Sequence, residues 1–153
     1  MATSASRREA DDATESFFEE LKHAHRNLLE AMSNLDGLTR GPLPSKETIV
    51  TARWNLSRTS LARRTLWSRI RTHLEYGRLS EHEKGVLLEL QQSDVALIRA
   101  STAHISEWRV DKIISDWAGY CRSSVDLRWN MLAGIGLEKR RLYPILQAQG
   151  HPR

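Results

Sequence analysis

His, Asp and Glu, the side chains that ligate metals and exchange protons, occur in this sequence where a helix would turn them inward. His25, His73, Asp94 and Glu138 each fall in phase with neighbouring leucines, isoleucines and methionines, at alternating steps of three and four. A carboxylate taken out of water must be paired, protonated or bound to a cation. Two chemistries satisfy that demand. Facing helices of a bundle can hold a metal with inward His and carboxylate groups, and two His with one carboxylate suffice for a single Fe(II) or Zn(II) ion. Alternatively, His25 and His73 are hydrogen-bonded core histidines, while Asp94 and Glu138 pair with Arg63 and Arg128, two arginines that also intrude into apolar phases.

The elements that would position these groups are helices. All prolines lie outside residues 45–143, and no strand-like alternation is sustained. After a flexible tail, 1–11, helix A is expected over 12–36, ended by the Gly- and Pro-rich stretch 37–44. Ser45 caps helix B, 45–76, which stops at Gly77. Ser80 and Glu83 form a capping box that opens helix C, 80–105. Helix D is expected over 110–147, before a tail at 149–153, with Pro144 disturbing its last turn. Its seam reads Ile114, Trp117, Cys121, Met131, Ile135, Glu138, Leu142 and Ile145. The fold class is therefore all-α, and four amphipathic helices with short connections predict an up-down-up-down four-helix bundle over 12–148.

Two segments resemble the hemerythrin-like (HHE cation-binding) domain family. The run FFEELKHAHRNLLEAMSNL from Phe17 is similar to that family's first helix, where a His is followed by apolar residues three, four and seven positions on; here these are His25, Leu28, Leu29 and Met32. The stretch from Trp108, ending LEKRRLYPIL, resembles its last helix, with Glu138, Leu142, Tyr143 and Pro144 in the closing pattern. The resemblance implies a di-iron helical bundle. The departures imply that the iron pair has been lost. Gly134 stands where the family's last helix carries a His, Gly77 where a Glu should follow His73, and Asp94 where a His is usual. His25, His73 and Glu138 remain, with Asp94 a possible fourth, so no cofactor is expected beyond at most one Fe or Zn ion.

Levels along the bundle give two answers. At about 1.5 Å per residue, a flush antiparallel partner of His25 falls near Arg58, roughly 20 Å from His73. If Arg58 is level, Ala62 replaces the carboxylate and a cation repels any metal. Matching the start of helix A to the end of helix D instead sets His25 beside Glu138, with helix B contributing a residue near His73.

The 153 residues carry 23 basic against 19 acidic groups, a net +4. Arginines crowd helix B, and the acidic start of helix C can neutralise them across a shared edge, which disfavours nucleic acid as the partner. Trp67, Trp108 and Trp117 fit the core, whereas Trp54 and Trp129 suit a contact patch; His82 and His104 are expected to be exposed at helix ends. A lone Cys121 at a core phase suits a reducing, cytoplasmic setting, and no apolar run predicts membrane insertion. With no phosphate loop or nucleophile motif, the expectation is a non-enzymatic interaction or regulatory module. It would meet an acidic protein or another copy of itself through Arg53, Trp54 and Arg64. The alternative is a single-metal binding protein or sensor.

Overall fold

The protein is described here by a computed structural model covering residues 3–150, in which helices are the only regular elements. They are α1 (Ser4–Thr39), α2 (Lys46–Glu75), α3 (Glu81–Glu107), α4 (Val110–Ser115), α5 (Trp117–Arg141) and α6 (Tyr143–Gly150). The all-helical class is as expected. α1 starts well ahead of Asp12, because the Thr3 hydroxyl accepts from the Ser6 amide at 3.2 Å and Ala, Arg and Glu propagate the helix from there. The expected tail over 1–11 is thus helical from Ser4, and α6 continues through Gly150; residues 1, 2 and 151–153 lie outside the described residues. Ser45 caps α2, and the reciprocal Ser80–Glu83 bonds, at 2.9 and 3.1 Å, open α3.

The expected helix D is interrupted twice. At Asp116 the backbone leaves the helical region (φ −142°, ψ 66°), and its carboxylate accepts from the Gly119 amide at 3.0 Å, so α5 has its own N-cap. A Cβ at position 119 would collide with that carboxylate, which is why glycine suits this turn. At Pro144 no amide is available to continue α5, yet a proline is tolerated in the first turn of α6. The first interruption resets the phase. Ile113, not the expected Ile114, is buried; Tyr120 and Ser124 take inner positions, and Trp117 and Cys121 are half-buried. Replacing the cap by Asp116→Ala is expected to cost about 1 kcal/mol, read as a lower urea midpoint with unchanged slope.

Neighbouring helices run antiparallel. On α1 and α2, Thr14 meets His73 while Leu28 and Met32 pack with Leu56; on α2 and α3, Trp67 bonds Gln91 and Arg63 bonds Asp94. Between α3 and α5, Glu89 meets Arg141 and His104 meets Ser123. α5 also runs back along α1, with Glu138 on His25 and Arg128 on Thr39. The apolar interior falls into three successive clusters. One holds Leu21, Leu66, Ile70, Leu90 and Leu142; the next holds Leu28, Leu56, Met131 and Ile135; the third joins Ile49, Trp108, Ile113 and Tyr120 at the far end.

Candidate functional site

Between the first two apolar clusters lies a polar layer, and the sequence explains its level. His25 sits between Leu21 and Leu28, Arg63 between Leu56 and Leu66, Asp94 between Leu90 and Leu97, and Glu138 between Ile135 and Leu142. Each of the four helices contributes one of these polar side chains, and all four coincide in level. His25 Nε2 lies 2.6 Å from Glu138 Oε2, the ring nitrogen donating to the carboxylate, and its Nδ1 lies 2.5 Å from the Tyr143 hydroxyl. Arg63 donates to Glu138 Oε1 through one nitrogen and to Asp94 Oδ1 through the other, the latter at 2.5 Å. His25 and Arg63 are 1% and 3% exposed.

The charges fit this burial. Desolvation works against the Arg63 cation, but Glu138 and Asp94 outweigh it and hold the guanidinium above its ordinary value. Burial, reinforced by Glu138, pushes the Tyr143 hydroxyl up to about 12, so it keeps its proton.

The ligand trio suggested by phase is not brought together. His25 and Glu138 meet as the end-to-end match of α1 and α5 implied, and Asp94 joins them through Arg63. His73 instead lies nearer the start of α1, bonding Thr14 at 2.8 Å beside the Phe17 ring. Neither Arg58 nor His73 occupies the level of His25; Arg63 does. Arg58 lies over the Trp54 ring on the exposed side of α2. Among the described residues no three His, Cys, Asp or Glu side chains form a group that could hold a metal. The donor set therefore does not fit one: where a cation would be needed to join the carboxylates, a guanidinium already does so. The expected pairing of Arg128 with Asp94 or Glu138 is also replaced, since Arg128 bonds Ser124 at 2.6 Å, Thr39 at 2.9 Å and Asp36 at 3.4 Å.

A second feature was not expected. A cleft of about 100 Å³ opens between α2, α3 and α5, with Arg53, Arg64, His104, Tyr120 and Arg128 around apolar Leu97 and Leu127. Arg53 and Arg64, assigned with Trp54 to one patch, turn to this cleft, whereas Trp54 is 61% exposed and does not line it. The acidic start of α3 does not neutralise these arginines. Glu81 pairs with Lys84, Glu83 completes the cap and Glu89 meets Arg141.

His104 is half-buried rather than exposed, and its Nδ1 lies 3.1 Å from the Ser123 hydroxyl. Burial first, and then the charges of Arg53 and Arg128, lower its basicity, with Glu107 opposing. The folded chain thus takes up this proton later than the unfolded chain as pH falls. Stability should decline below about pH 6.5, where the unfolded imidazole protonates first, until the folded imidazole is also charged. His104→Gln is expected to flatten that decline, measured by urea midpoints at successive pH values. An identical slope in the variant would exclude His104 as its source.

No family model matches the chain, and no curated protein or solved structure matches it. No helix among the described residues is long and apolar enough to cross a membrane.

Proposed function

We propose that this chain is a hemerythrin-like, up-down-up-down helical bundle in which an ion-pair layer stands in place of a metal centre, and that it works as a non-enzymatic interaction or regulatory module. The observation that carries this reading is Arg63, held between Glu138 and Asp94 at the level of His25. Gly134 supports it, because this position, where the resemblance expects a histidine, faces the same small space as Arg63, Asp94 and Glu138. Within the layer the His25 and Glu138 side chains are buried, which disfavours contact of that pair with a substrate.

The surface is then the working part. Val50, Trp54 and Leu61 leave an exposed apolar stripe on α2, with Arg58 over the Trp54 ring. Trp and Arg dominate interface energetics, and the net positive charge suits an acidic protein partner or an acidic patch on another copy.

Two measurements on the purified chain test the reading. Elemental analysis after growth with iron and zinc is expected to find far less than one metal per chain. Sedimentation from low to high salt, alone and with acidic proteins, is expected to show salt-weakened association that Trp54→Ala reduces while helicity persists. A stoichiometric metal, or a strict monomer whose spectrum responds to Fe(II) and oxygen, would overturn it.

A further inference from the structure

We propose that the cleft between α2, α3 and α5 binds a small amphipathic anion, a carboxylate on an apolar body, with its head group at Arg53 and Arg64. This goes beyond protein contact and concerns a different face of α2 from the Trp54 stripe.

The charge pattern is the first reason. No Asp or Glu lines the cleft. The two most deeply buried guanidiniums are satisfied: Arg63 bridges two carboxylates, and Arg128, which also borders the cleft, bonds Ser124, Thr39 and Asp36. Arg53 and Arg64 have neither a hydrogen bond nor an ion pair among the described residues, and Arg64 Nε is buried without a partner; Arg71 Nε and Arg141 Nε are also buried and without a hydrogen bond, but those guanidiniums pair with Glu75 and Glu89. An N–H donor removed from water and left unbonded is costly unless something accepts from it. Ser57 and Ser60 stand on the same wall, adding hydroxyl donors to the guanidinium forks that suit a carboxylate.

Shape is the second reason. Below the arginines the walls become apolar at Leu56, Leu97, Leu127 and Met131, with Leu35 of α1 behind them. A space of about 100 Å³ approaches the ~150 Å³ that accommodates a benzene ring. It suits a short alkyl chain or a small ring, with the remainder of the ligand in the open mouth. Inorganic phosphate would satisfy the arginines but leave this floor empty, so an apolar body is part of the recognition.

The field in the cleft agrees with both. Arg53 from α2 and Arg128 from α5 act against protonation of His104 on α3, Glu107 alone among the facing charges favours it, and Tyr120 and Ser123 of α5 are its uncharged neighbours. An anion seated at Arg53 would relieve that repulsion and raise the affinity of His104 for its proton.

The test is titration of the full chain with octanoate, octanol, octylamine and inorganic phosphate, followed by calorimetry and by the His104 ring resonances. Octanoate should bind at least tenfold more tightly than each of the others and shift the His104 titration to higher pH. Arg53→Gln and Arg64→Gln should each weaken octanoate binding about tenfold, a loss of about 1.4 kcal/mol. Arg58→Gln on the exposed side of the same helix should not, and neither should Trp54→Ala, which separates this site from the proposed protein contact. Circular dichroism confirms that each variant is folded; if one arginine variant is not, the other decides. Absence of octanoate binding, equal binding of octanol or phosphate, or undiminished binding in a folded arginine variant would overturn the proposal.

Discussion

Arg63→Met is expected to destabilise the protein by about 3–5 kcal/mol, because it leaves Glu138 and Asp94 close together in the interior with no cation between them. Met fills much of the same space, so the loss is electrostatic rather than a cavity effect. Its pH dependence identifies the cause. Without Arg63, the folded state should bind protons at these carboxylates more readily than the unfolded chain does, so the penalty should shrink as pH falls and grow as it rises. Combining Arg63→Met with Asp94→Leu and Glu138→Gln should recover most of the loss. Both charges are then gone, and the amide oxygen introduced at position 138 would still accept from His25. Urea unfolding between acidic and neutral pH checks both statements. A single-variant cost below about 1 kcal/mol would mean that the bridge contributes no more than an exposed ion pair.

Arg63→His should have the opposite character. The guanidinium is replaced by a neutral ligand among His25, Asp94 and Glu138, a donor set suited to Zn(II). Zinc should then stabilise the variant and leave the wild type unchanged. At a hundredfold excess over the dissociation constant, the gain is about 2.7 kcal/mol, several degrees in melting temperature. Equal responses in both proteins would show that Arg63 does not stand in the way of a metal, and would count against the proposed loss of a metal site.

Much of the interior was legible in the sequence because apolar spacing is a local signal. Leu21, Leu28 and Met32 on α1, and Leu87 and Leu90 on α3, are buried as their phases require. The contact between His25 and Glu138 was legible too, through matching the ends of their helices. What spacing cannot supply is axial offset. α1 continues to Thr39 rather than stopping at Asp36, which moves its antiparallel partner from Arg58 toward Arg63, and the length of the arginine covers the remainder. His73 shows the same limit: its phase is inward, but its level belongs to Thr14 and Phe17. Ile114 failed for another reason, since a single non-helical residue at Asp116 rotates everything before it relative to α5. The cleft was hidden because its walls come from segments of four helices far apart in the sequence.

The buried ion-pair layer also acts as a ruler. Leucine seams look alike from one heptad to the next, so helices joined by short connections could settle one step out of alignment with little penalty from apolar contacts alone. A slip of α2 by seven residues would bring Ile70 or Leu56 opposite Glu138 and carry Arg63 into a leucine cluster, creating misplaced charge at two levels simultaneously. His25, Arg63, Asp94 and Glu138 thus give four repetitive stripes a single common zero, and the error they penalise is one of vernier alignment rather than of packing density.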